Sequence, residues 1–464
     1  MDAPRSLWLQ EALPLEEGGD APELVEDVEA DVCIVGGGYT GLWTALRIKE
    51  LQPDATVVLI ESDICGGGPS GRNGGFALSW WPKVETLKKR FGDEEALRLV
   101  KASEAAVAEI GAFCEREGVD AHFHQGGWLW TATSPAQVGS WEGAVAVAEA
   151  YGEHPFEVLS AEEVQARTGS PVHLGAAFEP SAATVQPALL ARGMRRVALD
   201  RGIRIHERTP MVELERDQGV VRTPSGSIRA AAIVLALNAW AIKIKELSRA
   251  LVVVSSDIVT TAPMPEKLEE SGWTGGEAIS NCRLMVHYYR TTKDGRVAFG
   301  RGGGRLAFGG RVNSEFDQND AQTEGLKKDL VRLVPAAAGV PITNDWGGPI
   351  DRTTDGLPFA GRLDGKVPIV YGTGYSGNGV APSLTFGKIL ASSALGLSDE
   401  WSEVALNSGV PSRFPPEPVR FIGGLVVREA VRRKEGREDE GLSCDPVTGA
   451  VAGLAPQGFF RVKR

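Results

Sequence analysis

The sequence has few cysteines and no excess of positive charge, and each shortage argues against a class of function. Its five cysteines form no C-x-x-C pair and no metal-ligand spacing, so they predict reduced thiols in a cytoplasmic protein. They are Cys33, Cys65, Cys114, Cys282 and Cys444. The net charge of −12 argues against nucleic acid or an anionic membrane as a partner, because both favour a basic patch. The same charge suits a cationic small molecule such as an amine.

Long apolar runs are also missing. The longest run, Ala230 to Leu237, is broken by Asn238 and is too short to span a bilayer. The N-terminal region is acidic from Glu11 to Glu29 and lacks the basic and apolar pattern of a signal peptide. With 464 residues, 42% of them hydrophobic, the chain is expected to form two globular domains. We therefore expect a cytoplasmic protein without a membrane segment.

The organising feature is a glycine turn between two apolar runs. The run Val32–Val35 stops at a glycine triplet, and a second run, Thr56–Ile60, ends at Glu61. The glycines that fit the G-x-G-x-x-G dinucleotide fingerprint are Gly36, Gly38 and Gly41. Glu61 lies 20 residues after Gly41, where a carboxylate can bind the adenosine ribose and disfavour the 2′-phosphate of NADP. The alternative is a glycine turn that binds nothing.

Two further glycine-rich loops follow in the chain. The first, Gly66–Gly75, would place backbone amides, the Ser70 hydroxyl and the Arg72 guanidinium beside a diphosphate or a flavin ring. The other, Gly372–Gly379, leads into a helix expected from about Pro382, so its amides could stabilise negative charge. For both loops the alternative is a purely structural role.

These motifs resemble those of the D-amino acid oxidase-type FAD-dependent oxidoreductases, and most closely the gamma-glutamylputrescine oxidase-like branch. The resemblance covers roughly residues 6 to 395, in order. The matching segments are Ser6–Leu9, Val35–Ala45, Ser70–Gly75, Asp345–Gly348, Thr354–Pro358 and Gly374–Gly379. The resemblance implies an α/β (α+β) fold, with a Rossmann-like FAD-binding domain and an antiparallel β-sheet substrate domain.

The expected domains alternate along the chain. An N-terminal arm (1–29) comes before three FAD-binding segments (30–95, 161–245 and 341–398), which are separated by two substrate-domain segments (96–160 and 246–340). A packed C-terminal extension (399–464) follows the last of them. The extension carries a basic segment, Arg428 to Arg437.

The resemblance also implies a set of site residues. Val212 would contact the adenine through backbone groups, the strand that ends at Asn238 would close the FAD domain, and the loop to Gly379 would lie under the pyrimidine edge of the flavin. The cofactor-binding candidates are Gly36, Gly38, Tyr39, Thr40, Gly41, Glu61, Ser62, Gly68, Ser70, Gly71, Arg72, Asn73, Gly74, Gly75, Val212, Asn238, Gly374, Gly377, Asn378, Gly379 and Val380. Some relatives attach FAD through a histidine near the second glycine loop, where this chain has Arg72-Asn73, so the FAD is expected to be noncovalent.

The implied reaction is hydride transfer from the carbon next to an amine nitrogen to the flavin, giving an imine that water hydrolyses, with oxygen as the expected electron acceptor. The catalytic candidates are Arg72, Tyr289, Tyr375 and Asn378. Other candidates to line the pocket, each equally able to be core, are Trp80, His287 and Trp346. His122 and His124 lie in an expected strand, His122–Trp130, rather than in a metal site.

The substrate class stays open. Amino-acid oxidases of the family often carry an arginine in the loop that ends at Gly379, but this chain has Ser376-Gly377-Asn378, which favours an amine. Asn378 stands where the branch usually has histidine. Arg290 could bind a carboxylate or could brace the backbone. The alternatives are an amino-acid oxidase, an FAD-dependent dehydrogenase or biosynthetic tailoring enzyme with another acceptor, an FAD-containing binding protein, and an NAD-only dehydrogenase.

Overall fold

Two eight-stranded sheets form the framework of the computed structural model, which describes residues 5–16 and 19–457. The helices are α1 (Leu7–Ala12), α2 (Tyr39–Leu51), α3 (Val84–Phe91), α4 (Asp93–Arg116), α5 (Glu142–Ala150), α6 (Ala161–Thr168), α7 (Pro187–Asp200), α8 (Pro265–Ser271), α9 (Asp320–Leu333), α10 (Val380–Ala394), α11 (Val419–Asp439) and α12 (Pro446–Ala452). The strands are β1 (Val28–Val35), β2 (Val57–Ile60), β3 (Phe76–Ala77), β4 (Trp128–Thr131), β5 (Glu157–Leu159), β6 (Ala176–Glu179), β7 (Ala183–Thr184), β8 (Arg204–His206), β9 (Glu213–Glu215), β10 (Val220–Arg222), β11 (Ser227–Leu235), β12 (Val252–Thr261), β13 (Ala278–Asn281), β14 (His287–Thr291), β15 (Val297–Arg301), β16 (Ile342–Arg352), β17 (Phe359–Leu363) and β18 (Ile369–Thr373).

The first sheet has the order β17-β18-β11-β1-β2-β8, with β10 and β9 added beside β11. The pairs β18–β11, β11–β1, β1–β2 and β2–β8 are parallel. Residues Val32–Val35 of β1 are all buried because the central strand of such a sheet is covered on both faces. Since parallel strands end at the same edge, the turns after β1, β2 and β18 lie side by side, where α/β sheets bind ligands.

The second sheet has the order β16-β12-β15-β14-β13-β4-β6-β5 and is antiparallel except between β13 and β4. One face packs on α9 through a core that contains Val259, Phe299 and Leu326. The other face, with Ile258 and Ala298, packs on the N-terminal helix α1. The two faces therefore have different roles, and strand alternation decides which side chains face the glycine loops.

Strands β6 and β16 lie in the second sheet, whereas the expected boundaries at residues 160 and 340 put them with the FAD-binding segments. The expected strand His122–Trp130 is likewise shortened to β4, because His122 and Gly127 have positive φ angles of 49° and 80°. The long pairing of β16 with β12 explains the misplaced boundary: Asp345–Gly348, which carries a family motif, is a strand of the substrate sheet rather than an entry into the FAD sheet.

The first and the last of the described segments both pack on this framework. The arm expected to be irregular contains α1, whose N-cap Ser6 accepts a hydrogen bond from the Leu9 amide at 3.2 Å. The C-terminal extension forms α11 and α12. Its Glu435 is 3% exposed and accepts the Leu284 and Met285 amides at 2.6 and 3.3 Å. No helix in residues 5–16 or 19–457 has the length and apolarity needed to cross a lipid bilayer.

Candidate cofactor and substrate site

The turn after β1 accepts only glycine at two of its positions. Gly36 has a φ of +114°, and a Cβ on it would lie 2.4 Å from the carbonyl oxygen of Ala236. A Cβ on Gly41 would lie 1.9 Å from the carbonyl oxygen of Gly36. Both contacts are to backbone, which cannot move aside. The glycine pattern in the sequence therefore corresponds to a turn whose tightness requires it.

Gly38 has a different environment. A Cβ on Gly38 would meet only Ser70 within 4 Å, with the Ser70 Oγ at 2.9 Å. This Oγ accepts a hydrogen bond from the Tyr39 amide at 2.9 Å, so the second glycine loop lies against the start of α2. The amides of Thr40 and Gly41, in the first turn of α2, have no partner inside the helix. This is the arrangement that binds phosphate at a helix N-terminus.

Glu61 lies beside this turn at the end of β2. Its Oε2 accepts the Gly37 amide at 2.8 Å, and its Oε1 accepts the Ser62 hydroxyl and the Asp63 amide, both at 3.0 Å. Burial raises the pKa of Glu61, while these hydrogen bonds act in the opposite direction. A carboxylate offers roughly four acceptor sites, so one is left for a ribose hydroxyl.

The second glycine loop is held by its own polar groups. Asn73 donates through Nδ2 to the carbonyl oxygens of Pro69 and Ser70 at 3.1 and 2.9 Å, and its Oδ1 accepts the Gly75 amide at 2.7 Å. A Cβ on Gly71 would lie 2.2 Å from the Gly66 carbonyl oxygen. Asn73 therefore shapes the loop with its side chain, and any contact to a cofactor would come from the loop backbone.

Arg72 lies in the site, but its guanidinium is already engaged. Its Nε donates to the Gly67 carbonyl at 2.9 Å, and its Nη1 pairs with Asp317. Its aliphatic stem lies 3.7 Å from where a Cβ on Gly348 would be. Because the protein itself uses the Nε and Nη1 donors of the guanidinium, the geometry favours a loop-holding role for Arg72 over the catalytic role expected from the sequence.

The loop after β18 is anchored by a buried carboxylate. Gly374 and Gly377 have φ angles of +87° and +95°, and Ser376 has +56°. Asp351, on β16, accepts the Gly374 amide at 2.5 Å and the Thr373 hydroxyl at 2.9 Å. Burial raises the pKa of Asp351 to about 6. The strained loop therefore has a fixed shape as it enters α10, whose first residue is Val380 and whose N-cap is Gly379.

The turns after β1 and β18 meet through one hydrogen bond. The Thr40 Oγ1 and the Tyr375 hydroxyl are 2.6 Å apart, and the Tyr375 ring packs edge-on against Phe386. Burial raises the pKa of Tyr375, so its hydroxyl stays protonated. Tyr375 therefore joins the two turns rather than presenting a free hydroxyl.

Asn378 carries an unsatisfied polar atom. Its Nδ2 donates to the Ser79 carbonyl at 3.3 Å, but its buried Oδ1 has no partner among the described residues. The Nε1 of Trp80, the residue after Ser79, is also buried and without a partner within residues 5–16 and 19–457. Buried polar atoms are normally hydrogen-bonded, so this acceptor and this donor fit a bound polar group.

Glycines without close neighbours extend between these turns. A Cβ on Gly68 would meet only Trp240, at 3.9 Å, and one on Gly377 would meet only Ile350, at 3.7 Å. Open space therefore adjoins the second glycine loop at Gly68 and the loop before α10 at Gly377. The residues present thus fit an extended dinucleotide, on the evidence of this free space and of the unsatisfied Asn378 oxygen.

The structure corrects the expectation for Tyr289. Tyr289 is 1% exposed, its hydroxyl is 3.0 Å from His173 Nε2, and it stacks on Phe299 in the core beneath α9. His287, two residues away on the same strand face, bonds to Asp329 at 3.0 Å and is also core. Their neighbour Tyr288 lies on the face towards the loops, where a Cβ on Gly74 would lie 3.0 Å from its ring.

Arg290 and Trp346 brace the second glycine loop. Arg290 donates to the carbonyls of Gly74 and Val185 at 2.8 and 2.6 Å, and its guanidinium carbon lies 5.1 Å from the Trp8 ring centroid. Trp346 donates to the Arg72 carbonyl at 2.8 Å. Of the two roles open to Arg290, the structure therefore favours backbone bracing over carboxylate binding.

The remaining candidates lie at the edges of the site. Asn238 has a φ of 46°, and its carbonyl accepts the Thr373 hydroxyl at 3.1 Å, which joins the end of β11 to the end of β18. The Val212 side chain is 62% exposed and its amide donates to the Arg222 carbonyl at 2.8 Å, so an adenine contact would have to use another of its groups. No cluster of His, Cys, Asp and Glu suited to a metal occurs among the residues that the structure describes.

Two functional candidates are not indicated by any motif in the sequence. Asp351 and Arg352 follow the Asp345–Gly348 motif on β16 and are 1% and 9% exposed. Alternation along the strand, had β16 been recognised, would have placed Gly348, Ile350 and Arg352 on one face. The signal that could have drawn attention to them is that two adjacent charged residues, Asp351 and Arg352, end a strand and are buried there.

Comparison with known proteins identifies the family. The profile of the DAO family, FAD dependent oxidoreductase, matches residues 31–393. The chain belongs to this family. It is 30% identical over 409 residues to the gamma-glutamylputrescine oxidoreductase of Escherichia coli, covering 87% of this chain and 91% of that protein. FAD is accordingly the cofactor for which the DAO fold of this chain is built.

Other DAO relatives extend the comparison. The glycine oxidase of Bacillus licheniformis is 26% identical over 396 residues, which covers 80% of this chain and 95% of that protein. The crystal structure of glycine oxidase from Geobacillus kaustophilus superposes with a TM-score of 0.67 at 20% identity, over 83% of this chain and all of that one. The latter similarity establishes the fold.

Proposed function

We propose that this DAO-family enzyme oxidises the C–N bond of an amine, with FAD held noncovalently across the turns after β1 and β18. The observation that carries the proposal is the hydrogen bond between Thr40 and Tyr375, which is 2.6 Å long. It joins the start of α2, which would bind the diphosphate, to the loop before α10, which would bind the flavin ring. The printed names of the relatives, an oxidoreductase of gamma-glutamylputrescine and an oxidase of glycine, support a substrate that is an amine or an amino acid.

The proposed cofactor contacts follow the chain's own donors and acceptors. The free amides of Thr40 and Gly41 would bind the diphosphate, and Glu61 would bind the ribose with its remaining acceptor site. The Asn378 Oδ1 would accept a hydrogen bond from the polar edge of the flavin. No covalent link is proposed, because the side chains of Arg72 and Asn73 in the second glycine loop are occupied by protein contacts.

When bound, FAD supplies the hydride acceptor: the C–H bond next to nitrogen breaks, the nitrogen lone pair forms the C=N bond, and water then hydrolyses the imine to a carbonyl compound and an amine. The start of α10 directs its positive dipole end at the loop Gly374–Gly379 and favours negative charge there. Asp351 keeps that loop in shape from the other side. We propose oxygen as the electron acceptor and the cytoplasm as the location.

The test is an absorbance spectrum of the purified protein followed by anaerobic addition of amines and amino acids. Flavin bands near about 370 and 450 nm that bleach with an amine and return in air are expected. Release of the colour by acid precipitation would establish noncovalent binding, whereas colour that stays in the pellet would refute it. A protein that takes up no FAD, or whose flavin no amine reduces, would overturn the proposal. Return of the bands only with an artificial acceptor would indicate a dehydrogenase.

A further inference from the structure

A cleft lies between helices α2, α4 and α10. Its volume is about 190 Å³, and its lining includes Trp43 and Arg47 of α2, Phe113 of α4, and Leu384 and Lys388 of α10. A protein cavity of roughly 150 Å³ is large enough to take up benzene. The cleft therefore has room for a ligand that contains one ring.

Two buried N–H donors in this cleft have no partner. Trp43 is 7% exposed, and neither its Nε1 nor the Nε of Arg47 is hydrogen-bonded within residues 5–16 and 19–457. Residues four apart on a helix are neighbours on one face, so the two side chains lie on the same side of α2. Because a buried donor without a partner is costly, both atoms fit a ligand that supplies acceptors.

The acids of the lining do not supply those acceptors, because they are already paired. Glu50 accepts a hydrogen bond from the Nη1 of Arg47 at 3.1 Å, and Glu109 accepts one from the Nζ of Lys388 at 2.7 Å. A carboxylate from solution offers roughly four acceptor sites, so a single such group can accept from both of the unpartnered donors.

The surrounding charges also favour an anion. Arg116 lines the cleft, and its Nε lies 2.9 Å from Glu117. Arg201 pairs with Glu117 at 2.6 Å and with Glu50 at 3.4 Å. The charged lining residues and their ion-pair partners are therefore four cations and three acids. A carboxylate would balance the remaining positive charge.

An apolar wall determines the rest of the ligand. The ring of Trp43 packs edge-on against Phe113, with the ring centroids 4.8 Å apart, and Leu46 and Leu384 extend this wall. An aromatic ring packs favourably against other rings and buries a large apolar area. The wall and the two donors together favour a small aromatic carboxylate.

The cleft contacts both helices that begin at the proposed FAD contacts. Trp43 lies about one turn after Thr40 in α2, and Leu384 lies about one turn after Val380, the first residue of α10. A Cβ on Gly387 would lie 2.5 Å from the Trp43 Cβ, so α2 and α10 touch at the cleft. A ligand bound there would help to hold the two helix starts in one arrangement.

We propose that this cleft is a second ligand site, which binds a small aromatic carboxylate through the Trp43 Nε1 and the Arg47 Nε and thereby tightens the binding of FAD. The site is separate from the proposed amine oxidation, and only the coupling rests on the proposed position of FAD. Coupling between two sites is reciprocal, so FAD would tighten the binding of the carboxylate by the same factor.

The first test follows the indole N–H signal of Trp43 by NMR in the purified full-length protein. The chain has 11 tryptophans, and the signal of Trp43 is the one that is missing from Trp43→Phe. Benzoate is expected to shift this signal. Benzamide, which has the same ring without the charge, should need a roughly 10-fold higher concentration, because a hydrogen bond to a charged group is stronger.

Arg47→Met is the variant that removes one of the two donors. The Arg47 side chain is 33% exposed, so the variant should fold, and it is expected to weaken benzoate binding by roughly 10-fold or more. Arg98→Met is the matched control. Arg98 also pairs with an acid three residues away and is 35% exposed, but all three of its guanidinium nitrogens are bonded and it does not line the cleft. This control should leave benzoate binding unchanged.

The second test measures the Kd for FAD by titration of FAD-free protein with and without benzoate. Benzoate is expected to lower this Kd by about fivefold or more in the wild type and in Arg98→Met, and to leave it unchanged in Arg47→Met. Benzoate bound at the substrate position would instead lower the Kd equally in all three proteins. Arg47→Met therefore distinguishes the cleft from the substrate position.

A Trp43 signal that no probe shifts would overturn the site, and an equal response to benzoate and benzamide would overturn the carboxylate class. A Kd for FAD that benzoate does not change, or lowers equally in Arg47→Met, would overturn the coupling. Neither test uses an amine, so both are distinct from the proposed function, which fails if no amine reduces the flavin. A protein that takes up no FAD would end both that function and the coupling, while the Trp43 signal would still decide the site.

Discussion

The glycines of the first turn allow a prediction that separates folding from cofactor binding. At Gly41 an added Cβ would lie 1.9 Å from a backbone oxygen, but at Gly38 it would meet only the Ser70 side chain, at 2.9 Å for its Oγ. Gly38→Ala should therefore fold, and its methyl group should occupy the space through which a diphosphate approaches the start of α2. Gly41→Ala should fail to form the turn.

The expected size of the effect follows from the hydrogen bonds at risk. Losing one hydrogen bond to a charged phosphate costs about 1.5–3 kcal/mol, which corresponds to a roughly 10- to 140-fold rise in the Kd for FAD. The melting temperature of the FAD-free protein should stay close to that of the wild type for Gly38→Ala. Gly41→Ala should lose more than about 1 kcal/mol of unfolding free energy, since a backbone contact has to be relieved.

The assay is titration of FAD-free protein with FAD, followed by quenching of flavin fluorescence. The matched control is the double variant Gly38→Ala/Ser70→Ala, because Ser70→Ala removes the hydroxyl that the new methyl group of residue 38 would touch. If binding recovers in the double variant, the loss came from displacing Ser70. Wild-type affinity in Gly38→Ala alone would refute the view that the diphosphate approaches the backbone here.

Three other predictions concern the loop before α10. Asn378→Asp should lower the midpoint potential of the bound flavin by on the order of 30 mV or more, because a buried negative charge opposes electron uptake. The potential would be measured by dye equilibration, and an unchanged value would place Asn378 away from the flavin. Tyr375→Phe and Thr40→Val should each lower the free energy of unfolding in urea by about 1 kcal/mol, and the double variant should lower it by less than the sum of the two. Strictly additive losses would contradict the hydrogen bond between the two turns. The carboxyl of Asp351 has its pKa raised to about 6, so the native state holds its proton more tightly than the unfolded state. The unfolding free energy of the wild type relative to Asp351→Asn should therefore fall as pH rises from about 4 to 6, by at most about 3 kcal/mol, and parallel pH curves would refute this.

The FAD-binding half was predictable because its signals are local. The apolar run into Gly36 and the acid at Glu61 occupy one strand–turn–helix–strand unit, and their spacing is set by the backbone of that unit. The sequence also predicts helices over Glu94–Glu117 and Ala188–Arg201, and these correspond to α4 and α7 with nearly the same ends. A helical spacing of apolar residues that is repeated over many residues predicts a helix even where single residues depart from the pattern.

The substrate half was harder because it depends on pairing between distant segments. Strand β16 pairs over almost its whole length with β12, which lies about 90 residues earlier in the chain. The residues of β16 alone do not indicate which strand it pairs with. Tyr289 was misjudged for a related reason. Strand alternation fixes that Tyr288 and Tyr289 face opposite ways, but only the position of α9 decides which one faces core.

Arg352 shows what kind of site a sequence does not reveal. Its neighbours Asp351 and Thr353 look equally polar in the chain, yet the side chains of both bond to other residues of the protein, whereas the buried Nε of Arg352 has no hydrogen-bond partner among the described residues. Pairing is a property of the assembled structure, and here it depends on Glu435 from α11, on the far side of the family domain in sequence. Because the C-terminal extension supplies the buried carboxylate of Glu435, whose negative charge favours the charged form of Arg352, the environment of this arginine is set by a helix that no motif in the chain connects to it.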